Sequence, residues 1–155
     1  MSAALVRGLI LLGALVVLGA VNYSIYAKEQ IKSHGETLYL ELAPVDPRSL
    51  MQGDYMALRF SVANSIDVSR RADHTVALKL DEHRVGRVGI TSDTGTVRMR
   101  YRLRGSEPWL GTNAYFFEEG SAQRYSSARY GEFRIDRSSG EAVLVGLCDG
   151  QFRRL

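Results

Sequence analysis

Three carboxylates and one serine are the candidates in this sequence for acid–base or nucleophilic chemistry. The carboxylates are Asp54, Glu118 and Glu119, and Ser49 would need a base such as Lys79 to act as a nucleophile. No flanking signature around Lys79 supports that pairing, so we expect Ser49 to hydrogen-bond its own backbone in a turn. We expect Asp54 to hold the preceding turn in place, because strand alternation puts its carboxylate on an apolar face.

The three histidines form no pattern that is typical of a metal centre. The spacing of His34, His74 and His83 matches no pattern of zinc ligands. We expect these histidines to be solvated residues. Acidic residues beside His74 and His83 leave a surface metal site as the alternative. No metal and no cofactor is therefore expected.

Composition indicates one soluble domain and excludes two classes of protein. The chain has 155 residues, with 20 basic and 17 acidic side chains and no basic block, so we expect no nucleic-acid partner. Cys148 is the only cysteine, which excludes an internal disulfide and a cysteine-based zinc cluster. It follows an apolar run and is predicted to be a small buried residue instead of a reactive thiol.

One stretch places arginine at every second position. From Thr96 to Arg104 the sequence alternates, so one face of the predicted strand is apolar. The other face carries four arginines, here called the arginine ladder: Arg98, Arg100, Arg102 and Arg104. Like charges this close need solvent, facing carboxylates or an anionic partner. We expect a solvated face with cross-strand acids, and the alternative is a docking face for lipid head groups or a partner protein.

The ladder strand must be positioned by neighbouring strands. A hairpin is predicted in which residues 84–91 pair with it across a turn at residues 92–95. Alternation and short apolar runs predict further strands at 37–42, 74–80, 114–117, 130–136 and 141–148, with a brief helix within 118–128. This pattern predicts a mainly β fold, a compact antiparallel β-sandwich or partly open barrel with one or two short helices.

A turn followed by a strand is predicted within residues 43–62. Asp46 and Pro47 are typical of a helix cap and a first helical position, and Gly53 is typical of the left-handed residue that ends a short turn. Alternation then indicates a strand. Its apolar face comprises Met56, Leu58, Phe60 and Val62.

This segment resembles a bacterial family named after the motif GDYxxLxY. The matching motif positions, with their lead-in, are Asp46, Pro47, Arg48, Gly53, Asp54, Tyr55 and Leu58. Phe60 occupies the position where the motif has tyrosine, so a role for a hydroxyl group is not carried over. A second block of the resemblance includes Phe117, Glu118, Glu119, Gly120, Tyr125 and Tyr130.

The resemblance implies a small membrane-anchored protein and no particular activity. It favours a cell-envelope interaction module that is accessory to a multi-span membrane protein. It also implies a single-pass protein of the bacterial inner membrane with an extracytoplasmic (periplasmic) domain, since charge counting hardly discriminates the orientation.

A membrane anchor, a β-domain and a Gly-Asp pair are also loosely similar to bacterial signal peptidases. The position eight residues before Gly53, where that family has its serine, is Val45. Ser49 lies too close to the Gly-Asp pair. A signal-peptidase-like or other envelope hydrolase is therefore the alternative function.

The N-terminal region has the composition of a membrane span. No charge occurs from Gly8 to Ala27, and about 20 helical residues cover the roughly 30 Å hydrocarbon core of a bilayer. We predict an uncleaved anchor, and a cleaved secretory signal is the alternative. The predicted organisation is a tail at 1–7, a transmembrane helix at 8–27, a stalk at 28–36 and a β-rich domain at 37–155.

Overall fold

The structure is a computed structural model that describes residues 3–43, 51–52, 55–68, 73–90 and 95–155. The chain begins with one long helix, α1 (Ala3–His34). The backbone leaves the helix at Gly35, whose amide donates to the Ile31 carbonyl at 2.8 Å. A Cβ at position 35 would collide with that carbonyl, so the absence of a side chain allows this exit from α1.

The helix is covered by protein only near its end. Its 18-residue apolar window has a mean hydropathy of 2.4, and none of that window is buried against the rest of the chain. By length and composition, α1 could cross a membrane. Residues 28–34, predicted as a stalk, continue the helix, and Ile31 is the only buried residue that α1 contains.

Most of the regular elements after α1 are short strands. They are β1 (Glu36–Glu41), β2 (Met51–Gln52), β3 (Tyr55–Ala57), β4 (Thr75–Leu80), β5 (Gly86–Val88), β6 (Thr96–Arg100), β7 (Arg102–Arg104), β8 (Glu107–Trp109), β9 (Ala114–Phe116), β10 (Tyr130–Ile135) and β11 (Ala142–Cys148). A 3-10 helix, Ser61–Ser65, follows β3, and a single helical turn, α2 (Ala122–Tyr125), follows β9.

The strands of the described part of the chain form four small antiparallel sheets and no closed barrel. Their orders are β1-β10-β11, β2-β3-β9, β5-β4-β6 and β7-β8. This confirms the predicted mainly β, antiparallel fold with short helices. The strands predicted at 130–136 and 141–148 are also confirmed, as β10 and β11, which are antiparallel neighbours.

The predicted pairing of residues 84–91 with the ladder strand is wrong. β5 and β6 both pair with β4, on its two opposite edges. The local reason is the turn after β4, where the Asp81 carboxylate accepts the amides of His83 and Val85, both at 2.9 Å. This turn folds β5 back onto β4, which leaves the other edge of β4 for β6. The turn residues 91–94 lie outside the described residues.

The predicted strand after Gly53 is shorter than its alternation indicates. Regular pairing stops at Ala57, and the 3-10 helix begins at Ser61. The alternation nevertheless predicts burial correctly: Phe60 keeps an extended backbone, and Val62 is the buried residue of the 3-10 helix. The four predicted inward residues are all buried: Met56, Leu58, Phe60 and Val62.

One apolar core joins the sheets. Phe133, Leu38, Leu40 and Leu78 are among its largest fully buried side chains. Cys148 is also buried, as predicted, with 1% of its surface exposed. The core thus takes side chains from both the first and the last strands, which are joined through β10.

Candidate functional site

The two blocks of the family resemblance lie on neighbouring strands. β3 from the first block pairs with β9, which leads directly into the second, and the register sets Tyr55 opposite Phe116 and Met56 opposite Tyr115. The two blocks are far apart in sequence, so this pairing is a tertiary contact. It makes the motif segment a central strand, because β2 occupies the other edge of β3.

The paired motif strands have one exposed and one buried aromatic face. The rings of Tyr55 and Phe116 lie 5.7 Å apart, and 75% of Phe116 is exposed. On the other face, Tyr125 contacts Tyr115 and Phe117 at ring distances of 5.3 and 5.0 Å. Burial is the main cause that raises the pKa of the Tyr115 hydroxyl. The inward face therefore contributes to packing.

The second block does not form one cluster. Glu118, Glu119 and Gly120 lie in an exposed loop, and Gly120 has a φ of 81° that favours glycine. Tyr125 is buried in the core, whereas Tyr130 stacks on Phe152 at 4.7 Å. These residues therefore lie in at least three separate environments.

Several motif residues fall outside the described part of the chain. These are Asp46, Pro47, Arg48, Gly53 and Asp54, together with Ser49. The predicted turn and the proposed role of Asp54 therefore stay predictions. The motif residues Leu58 and Phe60 are described, and both are core residues with less than 5% exposure.

The remaining candidates for chemistry are dispersed. Lys79 is exposed on β4, and His34 is exposed at the end of α1. The ring of His83 stacks on Phe152 at 5.3 Å, and the ring of His74 contacts Tyr101 at 5.8 Å. No group of three or more His, Cys, Asp or Glu side chains within the described ranges is arranged to hold a metal ion.

The arginine ladder runs along two strands that belong to different sheets. Arg98 and Arg100 lie on β6, and Arg102 and Arg104 lie on β7, with Tyr101 between them. All four arginines are exposed, whereas the alternate residue Tyr101 is only 3% exposed. The alternation thus persists through the break between the sheets.

The expected cross-strand acids are mostly missing. The register sets Ala77 opposite Arg98 and Thr75 opposite Arg100. Glu107 lies opposite Arg104, but the Arg104 guanidinium lies over the Trp109 ring, 3.7 Å from its centroid. Among the described residues, no carboxylate forms a salt bridge with any ladder arginine.

A cavity of about 550 Å³ lies beside the middle of the ladder. Its lining includes Lys28, Arg100, Arg102, Trp109 and Glu141. Sequence reasoning missed the contribution of Lys28, because nothing local connects α1 to the ladder. Only the docking of the helix on the last strands brings Lys28 there.

That docking is made by specific contacts at the end of α1. Lys28 Nζ lies 2.6 Å from Glu141 Oε2, and Ile31 is only 8% exposed. Arg134 donates from Nη1 to the Gly35 carbonyl at 3.3 Å. The apolar helix and the β-domain are therefore joined by packing as well as by the chain.

A family model described as GDYXXLXY protein matches residues 17–147, which is most of the chain. The match begins within α1 and extends into β11. The comparisons with curated proteins and with solved structures found no match.

Proposed function

The chain belongs to the GDYXXLXY family, and from this premise we propose that it is a membrane-anchored interaction module of the bacterial cell envelope. In this proposal residues 8–27 cross the inner membrane and residues 37–155 form the extracytoplasmic domain. Residues 28–36 connect the two. The partner is a multi-span membrane protein, and the arginine ladder is the docking face.

One observation carries the anchoring. The apolar window of α1 is entirely uncovered by protein, whereas a core helix of a soluble protein would be largely buried. When a helix is apolar on every side, its exposure to water costs free energy, and a bilayer removes that cost. The contacts of Lys28 and Ile31 then hold the domain close to the end of the span.

The docking face is supported by unsatisfied charge. Four exposed guanidinium groups point away from the core, and the described residues offer them no carboxylate partner. Arginine is well suited to a planar acidic partner, because its fork of donors matches a carboxylate. An acidic surface on a neighbouring membrane protein would supply this complement.

The anchoring is tested by alkaline carbonate washing of membranes, followed by mass spectrometry of the mature chain. We expect the full-length chain to stay in the membrane pellet. Release of the chain, or a mature form that begins after the apolar run, would identify a secreted domain instead.

The docking face is tested by affinity purification in mild detergent. Arg98→Glu/Arg104→Glu should lose the membrane proteins that copurify with the wild type. The charge-matched control Arg124→Glu/Arg129→Glu changes two exposed arginines that lie on neither β6 nor β7, and it should keep them. Equal recovery with both variants would remove the ladder from the proposal.

A further inference from the structure

The cavity beside the ladder lies at the end of the apolar helix. Lys28 is the first charged residue after the uncharged run that ends at Ala27, and its side chain lines the cavity. Successive helical residues rise about 1.5 Å, and the head-group layer is roughly 5–8 Å thick on each side of a bilayer. If α1 spans the membrane as proposed above, the cavity therefore lies at the level of the lipid head groups.

The charges of the cavity favour an anion. Two acidic residues of the lining already have partners. The Glu141 carboxylate pairs with Lys28 at 2.6 Å, and the Asp73 carboxylate accepts the Thr75 amide at 3.3 Å. Arg100 and Arg102 form no salt bridge with the described residues. The charges of Lys28 and Glu141 cancel, and Arg100 and Arg102 outweigh the single charge of Asp73, so the lining keeps a net positive charge that favours a negative ligand.

The side chains around the two arginines suit a phosphate at a membrane surface. A guanidinium group binds phosphate oxygens with two parallel hydrogen bonds, which an ammonium group cannot do. Trp109 lines the same cavity and is half-buried, and its indole donates to the Gly111 carbonyl at 3.2 Å. Tryptophan is typical of membrane–water interfaces, because one part of the ring is apolar and the other polar.

We propose that this cavity binds the phosphate-bearing head group of an anionic phospholipid, with Arg100 and Arg102 as the phosphate-binding residues. The proposal rests on the anchoring described under Proposed function. The cavity volume of about 550 Å³ is sufficient for a glycerophosphate group and lies within the usual range of small-molecule sites. A zwitterionic head group carries an ammonium that the two guanidinium groups repel, so the site prefers a lipid with net negative charge.

The test uses the only tryptophan of the chain as a reporter. The full-length protein is reconstituted into phosphatidylcholine vesicles in two preparations. One contains phosphatidylglycerol that is spin-labelled near the head group, and the other contains phosphatidylcholine with the same label. Trp109 fluorescence is then measured against the fraction of labelled lipid. We expect saturable quenching by labelled phosphatidylglycerol at a fraction about tenfold lower than for labelled phosphatidylcholine, since charge-assisted hydrogen bonds contribute at least that factor.

Two variants of equal charge change make the test specific. Arg100→Glu/Arg102→Glu should reduce the preference for phosphatidylglycerol to none. Arg87→Glu/Arg98→Glu alters two exposed arginines that do not line the cavity, leaves the contact between Arg104 and Trp109, and should keep the preference. Circular dichroism and a thermal melt establish that both variants are folded.

Three outcomes would overturn the proposal. The first is equal quenching by both lipids in the wild type, and the second is an equal loss in both variants, which would indicate a general charge effect. The third is displacement of labelled phosphatidylglycerol by inorganic phosphate or soluble glycerophosphate, which would make the ligand a free phosphate. Failure of the anchoring is separate, because it appears as release of the chain in the carbonate wash.

Discussion

Phe60 packs edge-on against Phe133, with their ring centroids 5.2 Å apart. Gly131 leaves the space for this contact, since a Cβ at that position would lie 2.8 Å from Phe60 Cε1 and 3.1 Å from Leu144 Cδ1. The ring at the last position of the family motif therefore needs a glycine at position 131 of β10. A phenylalanine serves at that motif position as an apolar core residue.

Gly131→Ala should destabilise the domain. The added methyl group has to displace the Phe60 ring, and overpacking of this kind costs about 1–3 kcal/mol. Gly150→Ala is the control, because the nearest atom to a Cβ there is Arg129 Cγ at 3.8 Å. Denaturant midpoints of the two variants check the prediction, and equal midpoints would show that the core relaxes around position 131.

Two substitutions of Tyr101 should act in opposite directions. The ring is 3% exposed, and its hydroxyl oxygen is buried with no hydrogen-bond partner in the described part of the chain. Tyr101→Ala should cost about 3–5 kcal/mol through the cavity that it leaves. Tyr101→Phe removes the unpartnered hydroxyl and should raise the free energy of unfolding by up to about 1 kcal/mol. A loss of stability in Tyr101→Phe, measured by thermal melting, would identify a hydrogen bond to that oxygen.

Glu36 should make the fold sensitive to acid. Hydrogen bonds and charge from Arg137, and then from Arg84, lower the pKa of the Glu36 carboxyl below its usual 4.5. A lowered folded-state pKa means that the unfolded chain takes up the proton first. This contribution to stability is therefore complete above pH 4.5 and is lost as the pH falls through the lowered pKa.

The measurement is the free energy of unfolding against pH for the wild type and Glu36→Gln. The variant should show a shallower loss on the acid side, with the remaining slope due in part to Asp136, whose pKa is lowered chiefly by the Ser138 amide. Glu119→Gln, in the exposed loop, is the control that removes one carboxylate without touching the ion pairs of Glu36. Identical slopes for all three proteins would contradict the ion pairs of Glu36.

Cys148 should be inert in the folded protein. Burial first, and then the neighbouring Glu132 carboxylate, raises the pKa of the Cys148 thiol to about 11. Native protein should therefore resist iodoacetamide at about pH 8, whereas the unfolded chain, with a thiol pKa near 8.5, should react within minutes. Mass spectrometry with and without denaturant checks this, and rapid labelling of the native protein would point to local opening around β11.

The sequence by itself determined which residues face the core and where the apolar helix lies. Side-chain direction follows from backbone period alone, so Met56, Leu58 and Phe60 could be assigned to the interior although little of that segment is regular strand. The ladder arginines are likewise exposed, as the alternation predicts. Helix length and lack of charge are equally local properties, and they identified the apolar part of α1.

Only the tertiary structure decided which edges and faces meet. The ladder strand pairs with β4 and not with the neighbouring residues 84–91, because the Asp81 turn had already directed β5 to one edge of β4. The contact of β3 with β9 and the approach of Lys28 to Arg100 depend on packing between distant segments. These two contacts between distant segments depend on the total burial of the folded chain, which no local pattern of residues encodes.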